Sequence, residues 1–196
     1  MILASGSPRR VDILAQVGIA CEVRPQEVDE RPRVGEHPLC LVERLARLKC
    51  KSALDTCLMD DAGEIVLAAD TIVWLDGLTL GKPKDRSDAR RMLRELSGRT
   101  HHVSTGVCHA RVAVMAGQPY GELQSFVETT DVSFFELSDK EIDDYVATGE
   151  PLDKAGAYGY QARGCTLVER IAGDYYNVVG LPIGRLLREM NGCGQV

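Results

Sequence analysis

The chain has 196 residues, enough for one compact domain with a sizeable core and too few for two independent ones. Its 44% hydrophobic and 27% charged residues exclude collagen-like, coiled-coil and wholly disordered proteins. The net charge of −6 argues against a protein that grips long DNA or RNA, since such binding depends on many Lys and Arg contacts. Residues 120–150 hold nine acidic residues and one basic residue, which indicates a solvated surface strand and helix.

The cysteines and the apolar runs indicate the compartment. Seven cysteines, an odd number without a C-x-x-C pair, predict neither a disulfide framework nor a zinc knuckle, and we expect reduced thiols in the cytoplasm. No apolar run approaches the roughly 20 residues that a membrane span needs. We therefore expect neither an export signal nor a membrane anchor.

The first third of the chain predicts two short strands and two helices. Strands are expected at 2–4 and 19–24, with a proline-punctuated loop at 25–38. Ser7 and Pro8 predict the N-cap and first turn of a helix that ends at Gly18. Helical spacing continues over 39–57. Val11, Leu14 and Val17 share one apolar face of the first helix, and Leu41, Leu45 and Leu48 have helical spacing in the second.

The middle of the chain predicts a hairpin and two long strands. A strand over 64–75 meets Asp76-Gly77, a strong two-residue turn signal, and returns through 78–80. Amphipathic spacing predicts a helix from Ser87 to Leu96. Two further strands, His101–Ala116 and Leu123–Phe135, are expected around a turn at 117–121.

The last part of the chain predicts two helices and one strand. Ser138 and Glu141 form a capping box that opens a helix ended by Gly149. An irregular glycine-containing stretch follows to Gly164, then a strand over 166–171 and a helix over 182–190. Strands mixed with helices and hairpins favour an α/β domain with a mixed sheet.

Ser5-Gly6-Ser7-Pro8-Arg9-Arg10 lies at a strand-to-helix turn and is the first candidate site. Backbone N–H groups at a helix N-terminus favour anions, two hydroxyls add donors, and two guanidiniums can clamp phosphate. The combination fits a polyphosphate. The alternative is that Ser7 only caps the helix while the arginines are solvated.

Asp70 is the second candidate, because it lies near the end of a strongly apolar strand. A carboxylate there is costly unless it is paired, hydrated or bound to a metal, so Asp70 is a candidate metal ligand or general base. A turn-forming aspartate is the alternative. Asp29 and Glu30 supply carboxylates for Mg²⁺ or Mn²⁺, although solvated surface acids have the same sequence appearance.

Two loops and a histidine pair complete the candidates. Lys82, in a Gly-Lys-Pro-Lys loop, suits leaving phosphate oxygens. Gln161 follows a glycine-rich segment, and its amide can read a base edge, although an ordinary loop would look the same. His101 and His102 lack metal-ligand spacing and are predicted to be surface imidazoles. The sequence contains neither a Walker A loop nor a recognisable Ser-His-Asp triad.

These signals occur in the order of a known family. From Ile2 to about Leu186 the chain resembles the Maf-like nucleoside triphosphate pyrophosphatases. Six ordered blocks carry the resemblance, namely Ile2–Arg10, Ala69–Val73, Leu80–Pro83, Leu96–His101, Tyr145–Gly159 and Val178–Pro182.

The resemblance implies one domain over residues 1–196, with an inosine triphosphatase-like α/β fold. It implies two lobes, a long mixed central sheet flanked by helices, and an active site in the cleft between the lobes. Such enzymes hydrolyse a nucleoside triphosphate between the α and β phosphates, releasing the monophosphate and pyrophosphate. A divalent cation and a homodimer are also implied.

The resemblance carries roles onto individual residues. Asp70 would accept the proton of the attacking water, and Glu30 and Asp70 would hold the cation. The triphosphate would be bound by Ser5, Ser7, Arg9, Arg10, Lys49 and Lys82, with Lys82 beside the leaving group. Specificity would be set by Arg10, Thr71 and Gln161.

Within the family, residues 153–159 followed by Gln161 are similar to the branch acting on dTTP and UTP. Tyr160 departs from the usual aliphatic residue and Ala162-Arg163 from a Gly-led pair, so CTP and modified pyrimidines stay open. The alternatives are a 7-methyl-GTP pyrophosphatase and a nucleotide-binding regulator of cell division with little catalysis.

Overall fold

The computed structural model describes residues 1–192; Cys193, the last of the seven cysteines, lies outside this range. The strands are β1 (Ile2–Leu3), β2 (Glu22–Val23), β3 (Ile65–Leu75), β4 (Leu78–Leu80), β5 (Thr100–Arg111), β6 (Ala113–Met115), β7 (Gln118–Tyr120), β8 (Gln124–Phe134) and β9 (Val168–Ala172). The helices are α1 (Pro8–Gln16), α2 (Pro38–Asp55), α3 (Arg86–Leu96), α4 (Asp139–Ala147), α5 (Tyr175–Val179) and α6 (Ile183–Gly192).

Seven strands form one mixed sheet in the order β2-β1-β3-β5-β8-β9, with β4 paired to β3. Strand β1 is parallel to both β2 and β3. Strand β4 is antiparallel to β3, and β9 is antiparallel to β8. The predicted α/β fold with a long mixed central sheet flanked by helices is confirmed. Its register sets Ile2 opposite Glu22 and Val66.

The chain divides into two compact units. The first unit comprises Met1–Asp70, Thr105–Glu128 and the chain from Gly180 onward; the second comprises Thr71–Ser104 and Thr129–Val179. Each has a buried apolar cluster of its own. Ile2, Ala46, Val66 and Ala110 belong to that of the first unit, and Val73, Leu93, Phe134 and Ile142 to that of the second.

Helix α2 lies close to strand β5 because position 106 is a glycine. A Cβ on Gly106 would clash with the carbonyl oxygen of Val42. The predicted face of α2 is correct at Leu41 and Leu45 but wrong at Leu48, which is 39% exposed. The buried face of α2 includes Lys49 instead, and the ammonium group of Lys49 pairs with two carboxylates.

The predicted face of helix α1 is correct only at Leu14. Val17 is exposed and Val11 only partly buried, whereas Arg10, Ile13 and Leu14 are buried. The periodicity of apolar residues misses this face because one of its members is an arginine. The cap prediction is partly wrong too, since Ser7 occupies the N-cap position without a side-chain capping bond.

Local turn signals give the correct elements in the second unit. Asp76 and Gly77 have φ of 52° and 79°, and they connect β3 to β4 as predicted. Ser138 and Glu141 form the predicted capping box of α4. Helix α5 was not predicted.

Of the two long strands predicted around residue 117, the second is observed as β8, whereas the first is interrupted after Arg111. The chain leaves the main sheet after Arg111, forms the separate β6–β7 hairpin and re-enters the sheet at Gln124. The turn falls at Ala116-Gly117, where both residues have positive φ, rather than over 117–121. Pro119 lies within β7 of this two-stranded sheet, a position compatible with its missing N–H.

The six described cysteines are free thiols, and Cys50, Cys57 and Cys108 are buried in the first unit. Burial raises the pKa of Cys57. None of the helices within residues 1–192 has the length and apolarity required to cross a bilayer.

Candidate active site

Arg10 is the buried anchor of the turn between β1 and α1. Its Nη1 donates to Ser5 Oγ at 2.7 Å and its Nε to the Gly180 carbonyl oxygen at 2.9 Å. The Ser7 N–H donates to the same Ser5 hydroxyl at 3.3 Å. The alternative of a solvated arginine is therefore wrong for Arg10, whereas Arg9 is partly exposed at the start of the helix.

Burial changes the electrostatics of Arg10. Desolvation lowers the pKa of its guanidinium, while Asp70 and Glu30 act in the opposite direction. Because arginine stays protonated in proteins, the result is a fixed cation with little competing water. Arg10, Asp70 and Glu30, all in the first unit, thus interact electrostatically.

Lys49 joins the two carboxylates that the sequence predicts as metal ligands. Its Nζ lies 2.6 Å from Asp70 Oδ1 and 2.5 Å from Glu30 Oε1. The lysine side chain is 11% exposed and that of Asp70 15%, whereas Glu30 is 60% exposed in the loop before α2. Burial alone would lower the pKa of Lys49, but both carboxylates outweigh it and the pKa is raised.

Asp70 lies within β3 rather than near its end. The strand continues five residues beyond it to Leu75, and the preceding Ala68 and Ala69 are fully buried. The turn-forming alternative is therefore wrong. A carboxylate held in a strand by a buried ammonium has a fixed position without a capping or turn function.

Asp29, the sequence neighbour of Glu30, has a different ion-pair partner. Asp29 pairs with Arg31 at 2.7 Å on the exposed surface, and this hydrogen-bonded pairing lowers the pKa of Asp29. Of the two loop acids, only Glu30 contacts Lys49 in the described structure.

Three further candidates lie in the second unit. Thr71 is partly buried and follows Asp70 directly, while Lys82 and Gln161 are exposed in loops. The Lys82 loop contacts the glycine-rich segment, since the Gly156 N–H donates to the Gly81 carbonyl oxygen at 3.1 Å. This hydrogen bond places the Lys82 loop beside the glycine-rich segment within that unit.

A sequence model described as Maf-like protein matches residues 1–193. The chain belongs to this family. A Maf-like relative from Anaeromyxobacter dehalogenans (strain 2CP-C), named dTTP/UTP pyrophosphatase, is 51% identical over 93% of this chain and 88% of its own. Relatives of the same name from Bacillus cytotoxicus and Bacillus anthracis are 48% and 45% identical, over 96% and 97% of this chain and 93% of each relative.

The histidine pair of this Maf-like chain does not consist of surface imidazoles. His101 is fully buried with Nε2 2.8 Å from the Tyr158 hydroxyl, and burial lowers its pKa to about 3. His102 is half-buried, lies 2.7 Å from Asp131 and packs against the Trp74 ring. Residue spacing alone carries no signal for these tertiary partners.

Sequence reasoning also missed contacts around the predicted site residues. The Gly180 carbonyl holds Arg10 although 170 positions separate them, and the Glu150 side chain binds the loop that contains Gln161. Glu150 belongs to one of the resemblance blocks of the Maf-like chain. No local pattern indicates which backbone groups its carboxylate accepts.

Proposed function

We propose that this protein is a nucleoside triphosphate pyrophosphatase that converts dTTP and UTP into the monophosphate and pyrophosphate. The observation that carries the proposal is Lys49 held between Asp70 and Glu30, in the electrostatic environment of Arg10. Relatives at 45–51% identity bear the name dTTP/UTP pyrophosphatase and support the substrate assignment. CTP and modified pyrimidine nucleotides are further candidate substrates.

Cationic and hydroxyl groups of the first unit are assigned to the triphosphate. Arg10 is held in place by Ser5 and Gly180, so little side-chain entropy is lost when phosphate oxygens approach it. Ser7 does not use its hydroxyl as a helix cap, which supports a role for it in binding. The binding set is Ser5, Ser7, Arg9, Arg10 and Lys49, with Lys82 of the second unit assigned to the leaving pyrophosphate.

Asp70 is assigned as the base that accepts the proton of the attacking water. The fixed strand position and the Lys49 contact orient its carboxylate before substrate arrives. Lys49 offsets charge while Asp70 is ionised and donates to phosphate oxygens when substrate competes for it. Pyrophosphate then leaves with its negative charge offset by the neighbouring cations.

A divalent cation fits the donors of this cluster. Glu30 and Asp70 offer hard oxygen ligands, and the Lys49 ammonium between them shows that the position favours positive charge. Mg²⁺ in proteins is commonly held by one or two carboxylates together with substrate phosphates, a role that Glu30 and Asp70 could fill. When bound, Mg²⁺ or Mn²⁺ would offset phosphate charge and increase the acidity of water.

Base selection is assigned to Arg10, Thr71 and Gln161. Gln161 is exposed, and its amide offers both a donor and an acceptor to a pyrimidine edge. We also propose one Maf-like domain over the chain, a homodimer as the assembly, and the cytoplasm as the compartment, where free thiols persist.

Product identification tests the proposed reaction. Purified protein with Mg²⁺ or Mn²⁺ is incubated with dTTP, UTP, CTP, dGTP and 7-methyl-GTP, and the products are separated by ion-exchange chromatography. We expect monophosphate and pyrophosphate in equal amounts, fastest from dTTP or UTP. Release of inorganic phosphate, or a preference for 7-methyl-GTP, would contradict the proposal; nucleotide binding without hydrolysis would favour the regulator.

A further inference from the structure

The loop that carries Gln161 lacks a regular backbone ladder. Short 3-10 turns occupy Glu150–Asp153, Ala155–Ala157 and Arg163–Leu167, and residues 158–162 lie outside helix and strand. The position of such a segment depends on the few polar groups that bind its backbone. Two side chains, Glu150 and Tyr145, accept backbone N–H groups on either side of the Gln161 turn.

The Glu150 carboxylate and the Tyr145 hydroxyl bind both sides of the Gln161 turn. Glu150 Oε2 accepts the Arg163 N–H at 3.1 Å, and Oε1 accepts the Gly164 N–H at 3.2 Å and the Tyr145 hydroxyl at 2.9 Å. The same hydroxyl accepts the Gly159 N–H at 3.2 Å. We call Glu150 and Tyr145 the loop clamp, since they hold residues 159 and 163–164 together.

The clamped turn is closely packed. A Cβ on Gly164 would lie 2.5 Å from the Gly159 carbonyl oxygen and 2.7 Å from the Tyr145 hydroxyl oxygen. Within the turn, Tyr160 packs edge-on against Tyr175, with ring centroids 5.5 Å apart. Gln161 is therefore the polar, exposed residue between fixed neighbours.

The clamp has a defined hydrogen-bond direction. Tyr145 is buried on α4, and burial, followed by the nearby Glu150, raises the pKa of its hydroxyl. The hydroxyl therefore stays protonated. It donates a hydrogen bond to Glu150 and accepts one from the Gly159 N–H. A carboxylate that accepts three donors is required here, since an amide in its place turns at least one N–H toward another N–H.

We infer that Glu150 is a positioning residue for base selection, which fixes the Gln161 amide by clamping both sides of its turn. This inference rests on the proposed function and assigns Glu150 no contact with the nucleotide. A precisely held amide discriminates between base edges because a mismatched edge leaves donors or acceptors unpaired. A loose turn lets the amide adapt and reduces that discrimination.

A double-mutant cycle tests the inference, with the ratio of kcat/KM for dTTP to that for dGTP as the readout. We expect Gln161→Ala and Glu150→Gln each to reduce this ratio by about tenfold or more. The double variant should match Gln161→Ala within about twofold, because an absent amide no longer needs positioning. Amide hydrogen exchange at Gly159, Arg163 and Gly164 should be faster in Glu150→Gln.

Glu141→Gln is the matched control. Glu141 also accepts hydrogen bonds in the second unit, from the Ser138 N–H and hydroxyl at the cap of α4, but it does not contact the clamped turn. We expect a lower Tm with an unchanged nucleotide ratio. Tyr145→Phe, which removes only the hydroxyl, gives a second test should Glu150→Gln fold poorly, and a reduced ratio is again expected.

The outcomes separate the inference from the proposed function. A changed ratio in Gln161→Ala with an unchanged ratio in Glu150→Gln and Tyr145→Phe overturns the inference alone. Independent, additive effects of Glu150 and Gln161 overturn it as well. An unchanged ratio in Gln161→Ala overturns both the base-reading assignment and the inference, while absence of pyrophosphate release from wild type overturns the proposed function.

Discussion

Lys49 lies on the buried face of α2, so its ammonium group is largely removed from water. Removing a charge from water is costly, and the contacts with Asp70 and Glu30 offset this cost. Residue periodicity predicted a neighbouring leucine for the buried face, because a lysine in a helical run is usually solvated. Only the family resemblance identified Lys49 as a site residue, and its two partners could be found only from the folded chain.

Asp70→Asn tests the role of the strand carboxylate. The amide keeps the shape of the side chain but cannot accept the proton of water, and Lys49 keeps Glu30 as a partner. We expect kcat to fall by about 10²- to 10⁴-fold while nucleotide affinity, measured by calorimetry, changes little. Asp29→Asn is the control, because Asp29 is an exposed neighbour of Glu30 that pairs with Arg31. Turnover by Asp70→Asn within tenfold of wild type would refute the base assignment.

The glycine-rich segment depends on close packing at Gly156. This residue has φ of 69°, and a Cβ on it would lie 2.8 Å from Val73 Cγ1. We expect Gly156→Ala to lower the free energy of unfolding by at least about 2 kcal/mol, from left-handed strain and overpacking together. Gly149→Ala should lose only about 1 kcal/mol, since its φ is 78° but no atom lies within 4 Å of the added Cβ.

Urea denaturation measures the free energy of unfolding of both glycine variants, which can be compared directly when their m-values are equal. The difference between them isolates the contact with Val73, because both carry the same backbone strain. Equal losses in the two variants would show that packing against Val73 does not restrict this position.

Elements with local signals were predictable from the sequence. The Asp76-Gly77 turn and the Ser138–Glu141 capping box depend on residues within four positions of each other, so their chemistry is visible in the chain. The β6–β7 hairpin was not predictable as a separate sheet, because strand pairing is decided by tertiary contacts. The loop clamp was not predictable from the sequence either, because tertiary contacts decide which backbone groups Glu150 and Tyr145 bind.

The negative charge of the acidic run at residues 120–150 is partly offset by ion pairs with distant arginines. Asp143 pairs with Arg90 at 2.5 Å and Glu128 with Arg185 at 2.8 Å, each partner more than 50 positions away in sequence. Arg94 pairs with Asp139 as well. Since exposed pairs add little stability, their main effect is to reduce the negative field of the acidic run.

His101 makes the stability of the whole chain depend on pH. The folded pKa of about 3 lies below the ordinary value of 6.5, so the unfolded chain binds a proton that the folded chain excludes. This contribution is complete above pH 6.5 and is lost as the pH falls toward 3. We expect about 2 kcal/mol of it to disappear between pH 7 and pH 5.

The comparison with His101→Gln isolates this effect from the other titrating groups. Urea unfolding of both proteins across pH 5–7 should give a shallower pH dependence for the variant, whatever its stability at pH 7. Parallel curves would show that His101 takes up a proton in the folded protein.

The division of the chain into units has a genetic consequence. Because the first unit is assembled from three separated stretches and the second from two, no single cut in the gene isolates either of them. Truncation therefore removes parts of a unit rather than a module, and recombination at one breakpoint cannot exchange base recognition for that of a relative. Under the proposed assignment, substrate preference changes by substitution at single residues, and among these Gln161 lies in one short and separable turn.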